Sequence, residues 1–180
     1  MIFHGYFRSS SAYRCRIAFN LKGLKPDLKS VHLRRDGGQQ KAESYRALNP
    51  QALVPALEMD DMVLTQSLAI IEWLDETNPE PALLPKTADL RAKARAFSQV
   101  IACDTHPLQN LRVLDYLKEE FRQDQTGLDR CASAGSVTVW PRAKLYYNEI
   151  RPLEISVLVK RRGLPIFVSF HNSSQRTAFT

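Results

Sequence analysis

The sequence predicts an α+β chain: a small mixed domain first, an all-helical domain after it, and an aberrant stretch past about residue 125. Three observations carry this expectation. Short apolar and aromatic runs alternate with helical periodicity over residues 1–80. The proline-punctuated segment Glu80-Pro81-Ala82-Leu83-Leu84-Pro85 then separates them from purely helical patterning. Past Gln125 the helical pattern gives way to β-branched runs and a jump in basic charge.

Met1–Phe7 is short, apolar and aromatic, bounded by Arg8 and Ser9-Ser10-Ser11, and predicts a strand. Ala12–Lys22 follows with Tyr13, Ile17 and Leu21 at i, i+4 and i+8. An amphipathic helix with those residues on its apolar face is expected, with a serine N-cap and Gly23 at the C-terminal cap. Leu28–Leu33 predicts a second strand, and a polar loop runs through Asp36-Gly37-Gly38-Gln39-Gln40. Ala42–Leu48 predicts a short helix stopped by Asn49-Pro50. Val54–Met59 and Met62–Thr65 flank the acidic turn Asp60-Asp61 and predict a hairpin. Ser67 is expected to cap a helix over Leu68–Glu76 that stops before Asn78-Pro79.

A strand, a helix and a strand followed by a hairpin and a helix is the thioredoxin-like arrangement. The first domain is therefore expected at residues 1–80, with a linker at 81–88. Ala88 to about Ala102 predicts a helix with Leu90, Ala94 and Phe97 on one face; Pro107 interrupts, and Leu108–Phe121 resumes. An all-helical domain is expected to start over residues 89–125, followed by an atypical basic tail at 126–180. Within the tail, runs at 136–140, 155–159 and 166–170 are separated by Pro141, Pro152 and Pro165, a local pattern at odds with the helices before it.

The 180 residues carry 25 Lys+Arg against 19 Asp+Glu, a formal charge of +6, with 44% apolar residues. Such a composition is globular and excludes wholesale disorder. A pI near 9.4 first suggests nucleic acid or another anionic partner. The charge is unevenly placed, however: residues 1–125 hold 17 Lys+Arg and 16 Asp+Glu, and residues 126–180 hold 8 and 3. Lys160-Arg161-Arg162 reads as a solvated turn with no recognition module around it, so no nucleic-acid partner is expected. No apolar run approaches the ~18 residues of a membrane span. Arg8 interrupts the N-terminus before a signal-peptide core forms, so a cytoplasmic protein without a membrane partner is expected. Cys15, Cys103 and Cys131 are far apart and lack metal-ligand spacing; no metal is expected, and Cys15 reads as a buried small hydrophobe.

Five blocks stand in order along the chain. They are Phe7-Arg8-Ser9-Ser10 with Tyr13-Arg14 and Arg16; Gly37-Gly38-Gln39-Gln40; Leu48-Asn49-Pro50-Gln51 with Val54-Pro55; Gln66–Leu74; and Ile101-Ala102-Cys103-Asp104 with His106–Leu111. Through them residues 1–124 resemble the zeta-class glutathione S-transferases, and most closely the bacterial maleylacetoacetate isomerases of that class. The resemblance implies an all-α C-terminal domain of glutathione-transferase type, glutathione as cofactor and a homodimer. The tail lacks the helices and the helix N-cap that complete the family's second domain, and reads as a family sequence continued in another frame.

A serine cluster at a helix N-terminus offers a hydroxyl and orphan N–H groups to an anion, or simply caps the helix. The resemblance makes Ser9 the hydroxyl that stabilises the glutathione thiolate, with Ser10 and Ser11 beside it; Ser11 stands where many of the class carry cysteine. It implies a cis proline at Val54-Pro55, with the Val54 backbone pairing with glutathione like an added strand. Gln66 and Ser67 are expected at a glutathione carboxylate and Gln40 at the glycyl end, while Gln39 faces solvent. His106 and Asn110 correspond to cleft-facing positions of the helical domain and complete the glutathione-binding set. Arg14 is expected to meet a substrate carboxylate and Arg16 to pair on the helix surface. His4, His32 and His171 show no partner in the sequence.

The activity implied is cis–trans isomerisation of maleylacetoacetate to fumarylacetoacetate by thiolate addition, bond rotation and elimination, the substrate being a small cis-unsaturated dicarboxylate. Two alternatives stay open at this point: a general zeta-type transferase acting on α-halo acids, and a non-catalytic, truncated protein of glutathione fold.

Overall fold

The first strand, β1 (Ile2–Gly5), buries Phe3 and His4 and is flanked by both of its partners. The computed structural model describes residues 1–134 and the backbone of 157–158 and 167–168. On one side β1 pairs in parallel with β2 (Asp27–Ser30); on the other it pairs antiparallel with β3 (Ala56–Glu58), which continues antiparallel to β4 (Val63–Thr65). The sheet order is β2-β1-β3-β4. Helices α1 (Ser10–Leu21), α2 (Glu43–Leu48) and α3 (Ser67–Thr77) complete the thioredoxin-like unit expected from the element order.

The apolar face of α1 differs from the expected one. Ala12, Cys15, Ala18 and Phe19 are buried, whereas Tyr13 is exposed and Ile17 and Leu21 are half-buried. Small residues on the inward face bring the helix close to the sheet, so that Phe19 meets the Phe3 ring edge-on at 5.1 Å. Phe3, Ala12, Cys15, Ala18, Phe19, Leu57, Ile70, Leu74 and Leu83 form one core cluster. Tyr13 instead receives the Arg16 guanidinium over its ring at 4.9 Å. Gly23 ends the helix with φ +67°, while the Leu24 N–H reaches back to the Phe19 carbonyl at 2.9 Å.

The start of α3 also departs from expectation. Gln66, with φ +67°, is the N-cap, and Ser67 is the first helical residue, buried, with no side-chain capping bond. Beyond α3 the chain is fixed by a buried cation. Lys22 Nζ donates to Asp75 Oδ1 at 2.7 Å and to the carbonyls of Asn78 and Pro81, and the Leu83 N–H donates to the same Asp75 oxygen at 2.7 Å. The first residues of the expected linker, through Leu83, thus belong to the first unit.

The second unit begins at Leu84. Helix α4 (Ala88–Gln99) buries Ala94 and Phe97, as its spacing predicts, and passes into a π-helical turn at Val100–Thr105. A 3₁₀ turn at Pro107–Gln109 leads to α5 (Leu111–Glu120). Residues 126–134, the first of the expected tail, are helical, in a helix that begins at residue 125. Asp124 caps that helix by accepting from the Gly127 N–H at 2.8 Å, Gln125 bonds Asp129 one turn on, and Gln109 Nε2 donates to the Ala132 carbonyl at 2.9 Å. In the tail, β5 (Val157–Leu158) pairs antiparallel with β6 (Phe167–Val168); the run at 136–140 and His171 lie outside the described residues.

Removing one member of a buried ion pair strands the other charge and costs about 3–5 kcal/mol. Asp75→Ala is therefore expected to lower the unfolding free energy by an amount in that range. Lys22→Met/Asp75→Leu together should cost much less than Asp75→Ala alone, read by urea denaturation.

Candidate active site

Four loops leave the sheet at one end, and this follows from register alone. His4 of β1 stands opposite Ala56 of β3, and Ala56 stands opposite Thr65 of β4. The turn after β1, the residues just before β3 and the residues just after β4 are therefore neighbours, and parallel β2 adds its own exit at the same end. These segments hold Ser9, Val54-Pro55, Gln66-Ser67 and the 31–40 loop that ends on Gln40. Direct bonds tie them together: the Val31 N–H donates to the Gly5 carbonyl at 2.9 Å, and Cys15 Sγ donates to the Ser67 carbonyl at 3.5 Å.

Ser9 is half-buried and is the N-cap of α1, its Oγ accepting from the Ala12 N–H at 3.2 Å. Capping leaves the hydroxyl proton to donate, since a serine oxygen accepts through lone pairs and carries its own hydrogen. Ser10 and Ser11 are the first two helical residues, also half-buried. The turn that aims Ser9 is braced twice: the Ser9 N–H donates to the Tyr6 carbonyl at 3.0 Å, and the Arg16 guanidinium donates to the Phe7 carbonyl at 3.3 Å. Arg16 thus folds back onto the serine turn, where surface pairing was expected. Arg14 is buried, with 4% exposure, and its charge acts on Cys15. The arginine open to solvent beside Ser9 is Arg8.

The Val54–Pro55 peptide is cis, as the resemblance implies. Among the described residues the Val54 backbone makes no hydrogen bond. Two residues given no role from sequence shape this loop. Asn49, 1% exposed, donates from Nδ2 to the Leu53 carbonyl at 2.8 Å and accepts the Gln51 N–H on Oδ1 at 3.1 Å. The Tyr45 hydroxyl donates to the same Leu53 carbonyl at 2.7 Å, and burial pushes that phenol up to about 12, so it remains a donor. The Asn-Pro-Gln block was visible as a motif, but the use of its buried amide needed the fold.

Gln66 is exposed in left-handed backbone, and its Nε2 donates to Gln51 Oε1 at 2.9 Å, linking the cis-proline loop to the start of α3. Gln40 is 8% exposed; its Nε2 donates to the Leu33 carbonyl at 3.3 Å, while its Oε1 is buried without a partner among the described residues. Gly38, at φ +104°, lets the backbone pass the Gln40 amide, because a Cβ there would stand 2.7 Å from Gln40 Nε2. Gln39, expected to face solvent, accepts the His32 N–H on its side chain at 2.8 Å. His4 pairs with Glu58 at 2.7 Å. His106 and Asn110 lie in the second unit: His106 is half-buried after the π-helical turn, and Asn110 caps α5 by accepting the Arg112 N–H at 3.1 Å.

A thioredoxin-like sheet with a serine-capped first helix, a cis proline before β3 and a glutamine-serine start to α3 defines a domain of glutathione-transferase type. The sequence pattern of the glutathione S-transferase N-terminal domain matches residues 3–82. The holo structure of a maleylpyruvate isomerase, a bacterial glutathione S-transferase of the zeta class, superposes with a TM-score of 0.72 at 38% identity, over 85% of this chain and 68% of its own. A maleylacetoacetate isomerase from Methylobacterium extorquens, solved with malonate and glutathione, gives 0.75 at 39% identity, over 79% and 66%. Among curated sequences, a maleylpyruvate isomerase from a Ralstonia species is 44% identical over 129 residues, 72% of this chain and 60% of that one. A probable maleylacetoacetate isomerase from Vibrio cholerae is 49% identical over 117 residues, 65% and 54%. The chain belongs to the zeta class of glutathione S-transferases. It spans little more than half the length of the curated relatives it matches.

Cys15 is sealed in the core, and burial pushes its thiol up to about 12 from 9.0, against the smaller opposing effect of Arg14. A raised thiol value favours the protonated folded state, so that stability is present below pH 9 and is lost as pH rises from 9 toward 12. Urea unfolding measured through that window is expected to show stability falling in wild type and falling less steeply in Cys15→Ala. Parallel curves would assign the alkaline loss to other groups.

Proposed function

We propose that the protein is a glutathione-dependent cis–trans isomerase acting on a small cis-unsaturated dicarboxylate, with maleylacetoacetate as substrate and fumarylacetoacetate as product. The observation that carries the reading is Ser9, whose capped hydroxyl sits on the N-terminus of α1 at the same sheet end as the cis Val54–Pro55 peptide. The residues present fit glutathione. Among the described residues, Gln40 offers a buried amide oxygen without a partner, and Val54 offers backbone groups without hydrogen bonds beside a cis proline.

Bound glutathione supplies the thiol sulfur that adds to the conjugated cis double bond, which then turns as a single bond and returns as the trans isomer on elimination. The chain's own work is binding and charge placement. Ser9 donates its hydroxyl proton to the sulfur anion, a charge-assisted bond contributing about 1.5–3 kcal/mol, or one to two pKa units. The α1 N-terminus, where Ser10 and Ser11 stand, adds its dipole. Val54 pairs with the cysteinyl backbone, Gln66 and Ser67 present the α3 N-terminus to a carboxylate, and Gln40 meets the glycyl end. Arg8, exposed beside Ser9, is open to a substrate carboxylate, and Arg14 adds a buried positive charge behind the serine turn. The reading carries a homodimeric, cytoplasmic enzyme; no helix among the described residues is long and apolar enough to cross a membrane.

Maleylpyruvate is a second substrate reading, favoured by the relatives named for it; it presents the same cis-maleyl group.

Ser9→Ala is expected to lower kcat/KM for maleylacetoacetate about 10- to 100-fold, the loss of one charge-assisted hydrogen bond. Its affinity for S-methylglutathione, which has no thiol proton, should stay within about threefold of wild type. Turnover assays with calorimetric titration check both. Turnover unchanged by the substitution would remove Ser9 from the chemistry, and absence of turnover in wild type would support the non-catalytic alternative.

A further inference from the structure

One histidine at this sheet end is unused by the chemistry above. His32 follows β2, half-buried, and its imidazole is the hub of the loop that carries Gln40. Nδ1 accepts two backbone N–H groups, from Arg35 at 2.8 Å and Arg34 at 3.2 Å. Nε2 lies 3.4 Å from the Tyr6 hydroxyl, and the two rings meet edge to face at 4.8 Å. The His32 backbone is held from the other side, its N–H donating to Gln39 Oε1 and its carbonyl accepting the Gln39 N–H, both at 2.8 Å. Between these clamps the chain turns through Asp36, Gly37 and Gly38 at positive φ, and Gln40 Nε2 bonds back to Leu33.

Two N–H donors converging on Nδ1 fix the state of the ring by geometry. An imidazole nitrogen accepts only through a lone pair, so Nδ1 carries no proton, and the neutral ring holds its hydrogen on Nε2, toward the Tyr6 oxygen.

We propose that His32 is a positioning residue for glutathione: its ring shapes the 33–40 loop so that Gln40 meets the glycyl end. The proposal rests on the reading of Gln40 as a glutathione ligand. Asparagine is the informative replacement, because its side-chain oxygen accepts from N–H groups two and three residues on and does not titrate.

S-methylglutathione is the probe, since its sulfur carries no proton. Its dissociation constant for the full chain is measured by calorimetry. His32→Asn should bind like wild type, and His32→Ala about tenfold more weakly. Amide hydrogen exchange on the protein without ligand gives a second readout: the Arg34 and Arg35 N–H groups should be protected in wild type and His32→Asn and exposed in His32→Ala. Weakened binding or lost protection in His32→Asn, or affinity and protection unaltered in His32→Ala, overturns the proposal. Protection that follows His32 as stated, with no binding of S-methylglutathione to wild type at any pH, removes the glutathione reading of Gln40, and the binding role of His32 falls with it.

Discussion

The antiparallel pairing of β1 with β3 decides where every candidate residue of the first unit falls. It sets His4 opposite Ala56, so the cis Val54–Pro55 peptide lies beside the turn that delivers Ser9 to the head of α1. A shift of one residue would carry Phe3 and Leu57 off the core face, where both are buried against Phe19 and Leu74. The same apolar burial that holds the sheet together therefore fixes the spacing of the polar groups at its end. Site geometry here is a by-product of register, and the loops need only local braces.

Those braces are polar. Asn49 and Tyr45 share the Leu53 carbonyl, Arg16 holds the Phe7 carbonyl, and the Gln66 side chain reaches that of Gln51. The first three spend a side chain on satisfying backbone that strand or helix pairing leaves open. At the opposite side of the unit, Lys22 does the same for the chain leaving α3, gathering Asp75 and two carbonyls around one ammonium. Charge deep in a protein is costly unless its partners are complete. The complete set around Lys22 ties the end of α1 to residues 75–83, so the first unit closes on itself before the helical one begins.

Much of this was legible in the sequence. Element order gave the thioredoxin-like arrangement, and the five motif blocks placed Ser9, the cis proline and the Gln66-Ser67 helix start. What escaped reading has a common physical cause. The inward face of α1 was misassigned because Tyr13, Ile17 and Leu21 have the stronger apolar signal, while Ala12, Cys15 and Ala18 win by being small enough for close approach. The N-cap of α3 was misplaced by one residue because Gln66 adopts left-handed backbone, which nothing in a glutamine announces. His32 looked partnerless because its partners are backbone N–H groups, and those have no sequence signature. The boundary set at Gln125 followed a change in composition, while Asp124 supplies the cap of a helix that crosses it. Composition marks a change of character; capping chemistry decides where a helix runs.

The serine turn at Ser9, Ser10 and Ser11 has a consequence when set beside Cys15. Cys15 is the sole cysteine of residues 1–83, and it is sealed with its sulfur turned to the Ser67 carbonyl. This unit therefore presents no protein sulfur to a small molecule arriving at the serine turn. Glutathione disulfide has nothing there with which to form a mixed disulfide, and an electrophile that would alkylate a nucleophilic side chain meets only hydroxyls. The reducing state of the surroundings therefore finds no accessible thiol on residues 1–83 to act on.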